Sequence, residues 1–192
     1  LPGVIKALTR DYPALDLRPR EAITQRLIED LAEARLDVAI VALPVSGPVL
    51  EEMPLFAEEV MVVRPLEEAG KPVPASNRLH EMRLLLLEEG HCFRDQALSV
   101  CSIDAATTRS LMEGSSLTTL VQMVGAGIGV TLIPQMAIDI ETRSSPVCVF
   151  RLAEPRPTRT IGMIWRKTNP LAGQFARIGE IIRQAGTGVG AA

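Results

Sequence analysis

TQRLIEDLAEARLDVAIVAL, residues 24–43, carries two hydrophobic periods in succession, and the switch between them decides the fold class. From Thr24 to Arg35, the residues Leu27, Ile28, Leu31 and Ala34 form one apolar stripe with Glu29, Asp30 and Glu33 turned outward. That spacing predicts an amphipathic helix. Leu36 to Leu43 is then almost continuously apolar, as in a strand covered on both faces. A helix feeding such a strand is a unit of an α/β fold with a largely parallel sheet.

Working outward, the same alternation recurs. Val4, Leu8 and Tyr12 predict an opening helix ended near Pro13, and Ala14 to Arg18 reads as a short strand. Pro44 to Pro48 is a loop, Pro54 to Arg64 is an extended segment that crosses between lobes, and Glu67 to Asn77 is a surface loop. Leu84 to Leu87 is a buried strand, followed by a helix over about Phe93 to Cys101, a polar stretch through Arg109 and a short strand at Leu111-Met112. Ser116 reads as the N-cap of a helix carrying Leu117, Leu120, Val121 and Val124, ended by Gly125 and Gly127. Strands are predicted at Gly129 to Ile133, Val147 to Leu152 and Thr160 to Trp165, then a helix marked by Phe175, Ile178, Ile181 and Ile182. The Gly- and Ala-rich tail after Gln184 reads as disordered.

Composition narrows the function classes. With 192 residues, 47% hydrophobic, the chain can bury a core without a disulfide scaffold. Its apolar runs are strand-length, well short of the ~20 residues of a membrane helix, so a soluble protein is expected. The opening Leu1-Pro2-Gly3-Val4 does not resemble a secretion signal, which makes the cytoplasm the default location. A net charge of -3 and a pI near 5.5 argue against a nucleic-acid-binding surface in this segment. No Ser-His-Asp set, phosphate loop or carboxylate pair stands at motif-like spacing.

Three cysteines cannot all pair with one another. In a reducing compartment a cysteine pair is a candidate for redox or metal chemistry. Cys92 follows a strand and a glycine and opens a predicted helix, flanked by His91 and Arg94. Helix N-termini and neighbouring cations favour the thiolate, the form that attacks peroxide oxygen to give a sulfenic acid. Cys101 lies nine residues on. If the intervening residues are helical, the two positions are about 900° apart around the axis with a rise of roughly 13 Å. A disulfide needs Cα atoms within about 7 Å, so the helix must unravel or shift before the bond closes.

Competing readings accompany each residue. A free cysteine is commonly a small buried hydrophobe, and Cys148, in Val147-Cys148-Val149-Phe150, is most simply a core residue. His80, His91, Cys92, Cys101 and Cys148 offer ligand types for zinc, but their spacing fits no compact C-x2-C pattern, so neither metal nor cofactor is assigned. Arg94 and Asp95 form a local ion pair or belong to a solvated first turn. Thr24 and Ser116 each read as helix caps as readily as ligand contacts.

Gly90-His91-Cys92-Phe93-Arg94-Asp95-Gln96-Ala97, followed by Cys101, resembles the redox signature of the OxyR family of hydrogen-peroxide sensors, within the LysR-type transcriptional regulators. Gly114 to Pro134 looks like a segment shared by LysR-type regulatory domains, and Leu1 to Leu15 and Met53 to Phe56 are similar to other parts of that domain. The resemblance implies two Rossmann-like α/β lobes like those of periplasmic binding proteins, joined by crossover strands. Residues 1–55 plus 163–192 would form lobe I, with its first strand missing, and residues 56–162 lobe II with the redox cysteines. It implies Cys92 as the peroxidatic and Cys101 as the resolving cysteine of a reversible disulfide, with His91 orienting peroxide or tuning Cys92. Thr24 and Ser116 would then face an effector cleft. Expected partners are hydrogen peroxide, a second copy in a homodimer or homotetramer, a cellular thiol reductant, and promoter DNA through a winged helix-turn-helix absent from this chain. The function implied is a stoichiometric switch rather than an enzyme. Two alternatives remain: a LysR-type domain that binds a small organic effector with incidental cysteines, and a thiol peroxidase that turns over.

Overall fold

The computed structural model describes residues 2–73, 75–103 and 112–187. It divides into two units, Leu1–Ala57 with Thr160–Ala192, and Glu58–Arg159. The breaks thus fall a few residues from the expected 55 and 162, at points where two long strands, β2 (Leu50–Pro65) and β7 (Thr158–Arg166), pass from one unit to the other.

The first unit holds α1 (Pro2–Asp11), α2 (Thr24–Ala32) and β1 (Val38–Leu43), and it ends with α6 (Ala172–Thr187). β1 pairs antiparallel with β7, from Val38 opposite Trp165 to Leu43 opposite Thr160. Leu31, Ala39, Val41, Leu50 and Ile164 form one core cluster, and Leu55, Met163, Trp165, Phe175 and Ile182 another. The stripe predicted for α2 is real, but the helix stops at Ala32, and Ala34 takes the left-handed conformation with φ 61°. Asp30, expected on the outer face, is only 1% exposed. It turns inward because Arg20, Arg26 and Arg35 converge on its carboxylate, the Arg35 Nη2 contact being 2.6 Å. The hydrogen bond from Arg35, aided by the charges of Arg20, Arg26 and Arg35, holds that carboxyl below the usual carboxylate range.

In the second unit β3 (Leu84–Leu87) runs parallel to both β4 (Met112–Gly114) and β5 (Val130–Pro134). All four β3 leucines are buried, which accounts for their unbroken apolar run. Two helices make the crossovers: α3 (Cys92–Cys101) from β3 to β4, and α4 (Leu117–Gly125) from β4 to β5. The other pairs, β2 with β5 and β2 with β6 (Val147–Arg151), are antiparallel. The sheet is therefore mixed rather than largely parallel, because parallel pairing is confined to strands joined through α3 and α4. Gly129 needs to be glycine, since a Cβ there would lie 2.1 Å from the Arg83 carbonyl oxygen.

Several local expectations are corrected. Ala14 to Arg18 joins no sheet and is mostly exposed; alternation alone could not supply a partner strand. The Glu67–Asn77 loop is bracketed by short 3-10 turns at Leu66–Glu68 and Ser76–Glu81. A short helix that the periodicity missed, α5 (Ile138–Glu141), follows β5. The last helix continues past Gln184 to Thr187, with no proline to interrupt it. Residues 188–192, Arg109 and Leu111 lie outside the described residues. Among the described residues, no helix is long and apolar enough to cross a membrane.

Candidate functional site

Cys92 is the first residue of α3, and His91 occupies the N-cap with extended backbone and no side-chain cap bond. The opening amides of α3 therefore have no side-chain acceptor at the cap, and the partial positive charge of the helix end is directed toward the Cys92 position. Cys92 is half-buried and its thiol is free. At the other end of the helix, Cys101 is 0% exposed and also free. It belongs to the core of the second unit with Phe93, Ala97, Leu120 and Val124. Burial pushes the Cys101 thiol up from its ordinary 9.0 to about 12, so near neutral pH it is a protonated, unreactive group. Because one regular helix separates the two positions, their rise is roughly 13 Å, about twice the Cα separation a disulfide tolerates.

The first turn of α3 is tied down by charge. Arg94 is buried, and its Nη1 donates to the Leu87 carbonyl oxygen at 2.6 Å and meets Glu113 Oε1 at 2.7 Å. The anticipated Arg94–Asp95 pair is not formed: Arg94 turns into the protein, whereas Asp95 is exposed and makes no ion pair among the described residues. Helical geometry explains this, since adjacent residues point to different sides of the axis.

A second guanidinium reaches α3 from β7. Arg159 lies with its Cζ 5.1 Å from the Phe93 ring centroid, and its Nη1 donates to Gln96 Oε1 at 3.5 Å. Its own charge is matched by Glu58, whose Oε1 accepts from Arg159 Nε at 2.7 Å and contacts Nη2 at 2.6 Å. Glu58 Oε2 in turn accepts the Met136 backbone amide at 3.0 Å. Neither Arg159, Glu58 nor Glu113 stands out in the sequence, because their partners lie well beyond one helix or strand away and only the folded sheet brings them to α3.

Ser116 is the N-cap of α4, its Oγ accepting from the Thr119 amide at 3.1 Å. Thr24 is the first residue of α2 in the other unit, with Ile23 rather than Thr24 at the cap position. Cys148, on β6, donates to the Pro65 carbonyl oxygen at 3.2 Å. The side chain of His80, considered for zinc, lies outside the described part.

A family model described as the LysR substrate binding domain matches residues 1–187. The chain belongs to the LysR substrate binding domain family. Within that family it is 38% identical over 189 residues to a probable hydrogen peroxide-inducible genes activator of Streptomyces viridosporus, covering 96% of this chain and 61% of that protein. It is 35% identical over 186 residues to the DNA-binding transcriptional dual regulator OxyR of Escherichia coli K12, covering 95% of this chain and 61% of the relative. The chain thus spans about 61% of these relatives' length. Among solved structures, a hydrogen-peroxide-bound OxyR C206S mutant of Corynebacterium glutamicum superposes with TM-score 0.91 at 30% identity, covering 98% of this chain and 61% of that one. The reduced OxyR regulatory domain of Pseudomonas aeruginosa superposes with TM-score 0.83 at 33% identity, covering 96% of this chain and 88% of that domain. The α/β LysR-type fold and the OxyR-like character expected from the residues around Cys92 are both borne out by these matches.

Proposed function

We propose that this LysR-type domain senses hydrogen peroxide through a reversible Cys92–Cys101 disulfide and so regulates transcription of oxidative-stress genes. The observation that carries the reading is the asymmetry of α3: a half-buried thiol at the helix start and a sealed, protonated thiol at its end. The relatives named for peroxide-inducible gene activation support the same class of signal.

The chemistry proceeds in two displacements. The Cys92 thiolate attacks one peroxide oxygen, the O–O bond breaks, and the sulfur becomes a sulfenic acid while the leaving hydroxide takes a proton to become water. Cys101, once freed from the core and deprotonated, attacks the Cys92 sulfur; the S–S bond forms and the sulfenic oxygen leaves as a second water. Two equivalents of a cellular thiol reverse the step. Because the cysteines begin at opposite ends of a helix, the second displacement requires α3 to rearrange, which converts oxidation into a change of shape.

In this scheme His91, next to the sulfur, orients peroxide, while Arg94 holds the first turn of α3 in place and Asp95 remains at its exposed edge. Thr24 and Ser116 contribute polar groups to the effector-facing surfaces of their respective units. The rearranged domain acts as a homodimer or homotetramer on promoter DNA through a winged helix-turn-helix, in the cytoplasm. It is a switch rather than an enzyme, oxidised once per cycle. Peptide mapping by mass spectrometry after micromolar peroxide tests the reading. A peptide joining Cys92 to Cys101 is expected, and its absence at full peroxide consumption would refute the disulfide.

A further inference from the structure

We propose that Glu113 is a positioning residue for the thiol switch: its carboxylate, held on Arg94, biases the equilibrium toward the dithiol form. The proposal rests on the Cys92–Cys101 reading above. Glu113 stands on β4, opposite Leu86 of β3 in the parallel register. Its side chain is 36% exposed, whereas that of Arg94 is only 6% exposed. One guanidinium nitrogen thus binds the end of β3, through the Leu87 carbonyl, and the middle of β4, through Glu113.

The tie matters because of where Arg94 sits. It lies between the two cysteines, two residues after Cys92. The Cα atoms at the ends of α3 must approach from roughly 13 Å to within about 7 Å for the disulfide to close. In the closure proposed here the first turn, which carries Arg94, leaves its helical path, so that the guanidinium cannot keep both partners on a sheet that stays put. The dithiol form holds a buried cation with its counter-charge; the disulfide form releases that cation toward water. Removing the carboxylate leaves Arg94 buried without a neutralising partner, a penalty borne only by the form in which it is buried.

The test is a redox titration of the 192-residue chain against a dithiothreitol couple, in which the protein dithiol passes two electrons and two protons to the cyclic disulfide. In Glu113→Gln the disulfide is expected to be favoured about tenfold more than in the parent, a midpoint ~30 mV more negative. Glu113→Asp, which keeps the charge on a shorter arm, is expected to fall between. The reduced Glu113→Gln protein should melt earlier than the reduced parent while the oxidised forms melt together. Equal midpoints, or an equal loss of stability in both redox forms, would overturn the proposal. A parent chain that forms no Cys92–Cys101 bond would instead overturn the reading on which it rests.

Discussion

Replacing Cys101 by alanine probes the sealed thiol directly. Burial raises this group from 9.0 to about 12 in the folded chain. Between those values the folded state keeps the proton while the unfolded chain has released it. The contribution to stability is therefore fully present below about pH 9 and is lost as pH rises toward 12. One proton corresponds to a limiting slope of ~1.4 kcal/mol per pH unit, and because the unfolded thiol is only half ionised at its own pKa, about 1 kcal/mol disappears over the first unit above it. Cys101→Ala also removes a sulfur from a site with 0% exposure, which costs roughly 1–2 kcal/mol at every pH. Urea unfolding in the presence of reductant, repeated from neutral pH to about pH 10, separates the two effects. The variant should start lower and then lose less stability than the parent as pH rises, so that the curves converge. Parallel curves would refute the claim that Cys101 waits as a buried neutral thiol.

Asp30→Asn removes the carboxylate on which Arg20, Arg26 and Arg35 converge and should lower urea-unfolding stability by about 1–3 kcal/mol, the arginines' partial exposure keeping the loss moderate. Ala34→Gly relieves a left-handed residue at φ 61° and should raise stability by about 1 kcal/mol in the same assay. Ser116→Ala deletes the acceptor for the Thr119 amide and should cost about 1 kcal/mol, measured as a shift in the urea midpoint.

What the sequence revealed was local. The α2 stripe, the four buried leucines of β3, the Ser116 cap and the helix between Cys92 and Cys101 all depend on residues within about one helix or strand of each other. Strand direction was less legible, because period-2 and apolar-run signals are the same for parallel and antiparallel neighbours. The long crossings of β2 and β7 determine that outcome. Asp30 was misplaced for a different reason: a carboxylate off the apolar stripe of an amphipathic helix reads as an outward residue, and the hydrophobic period does not show that Arg20, Arg26 and Arg35 close over it. The partners of Arg94 and Phe93, namely Glu113 and Arg159, were likewise hidden, since tertiary charge pairing leaves no periodic trace.

Hydrogen exchange of the α3 amides, followed by mass spectrometry in the reduced and the peroxide-treated chain, tests the central claim most directly. The amides of Gln96 to Cys101, the intrahelical donors of α3, should be protected in the dithiol form and lose most of that protection once the Cys92–Cys101 bond has formed. A disulfide formed with α3 still protected, or an α3 unprotected before any oxidation, would contradict a switch driven by separating two sulfurs along an ordered helix.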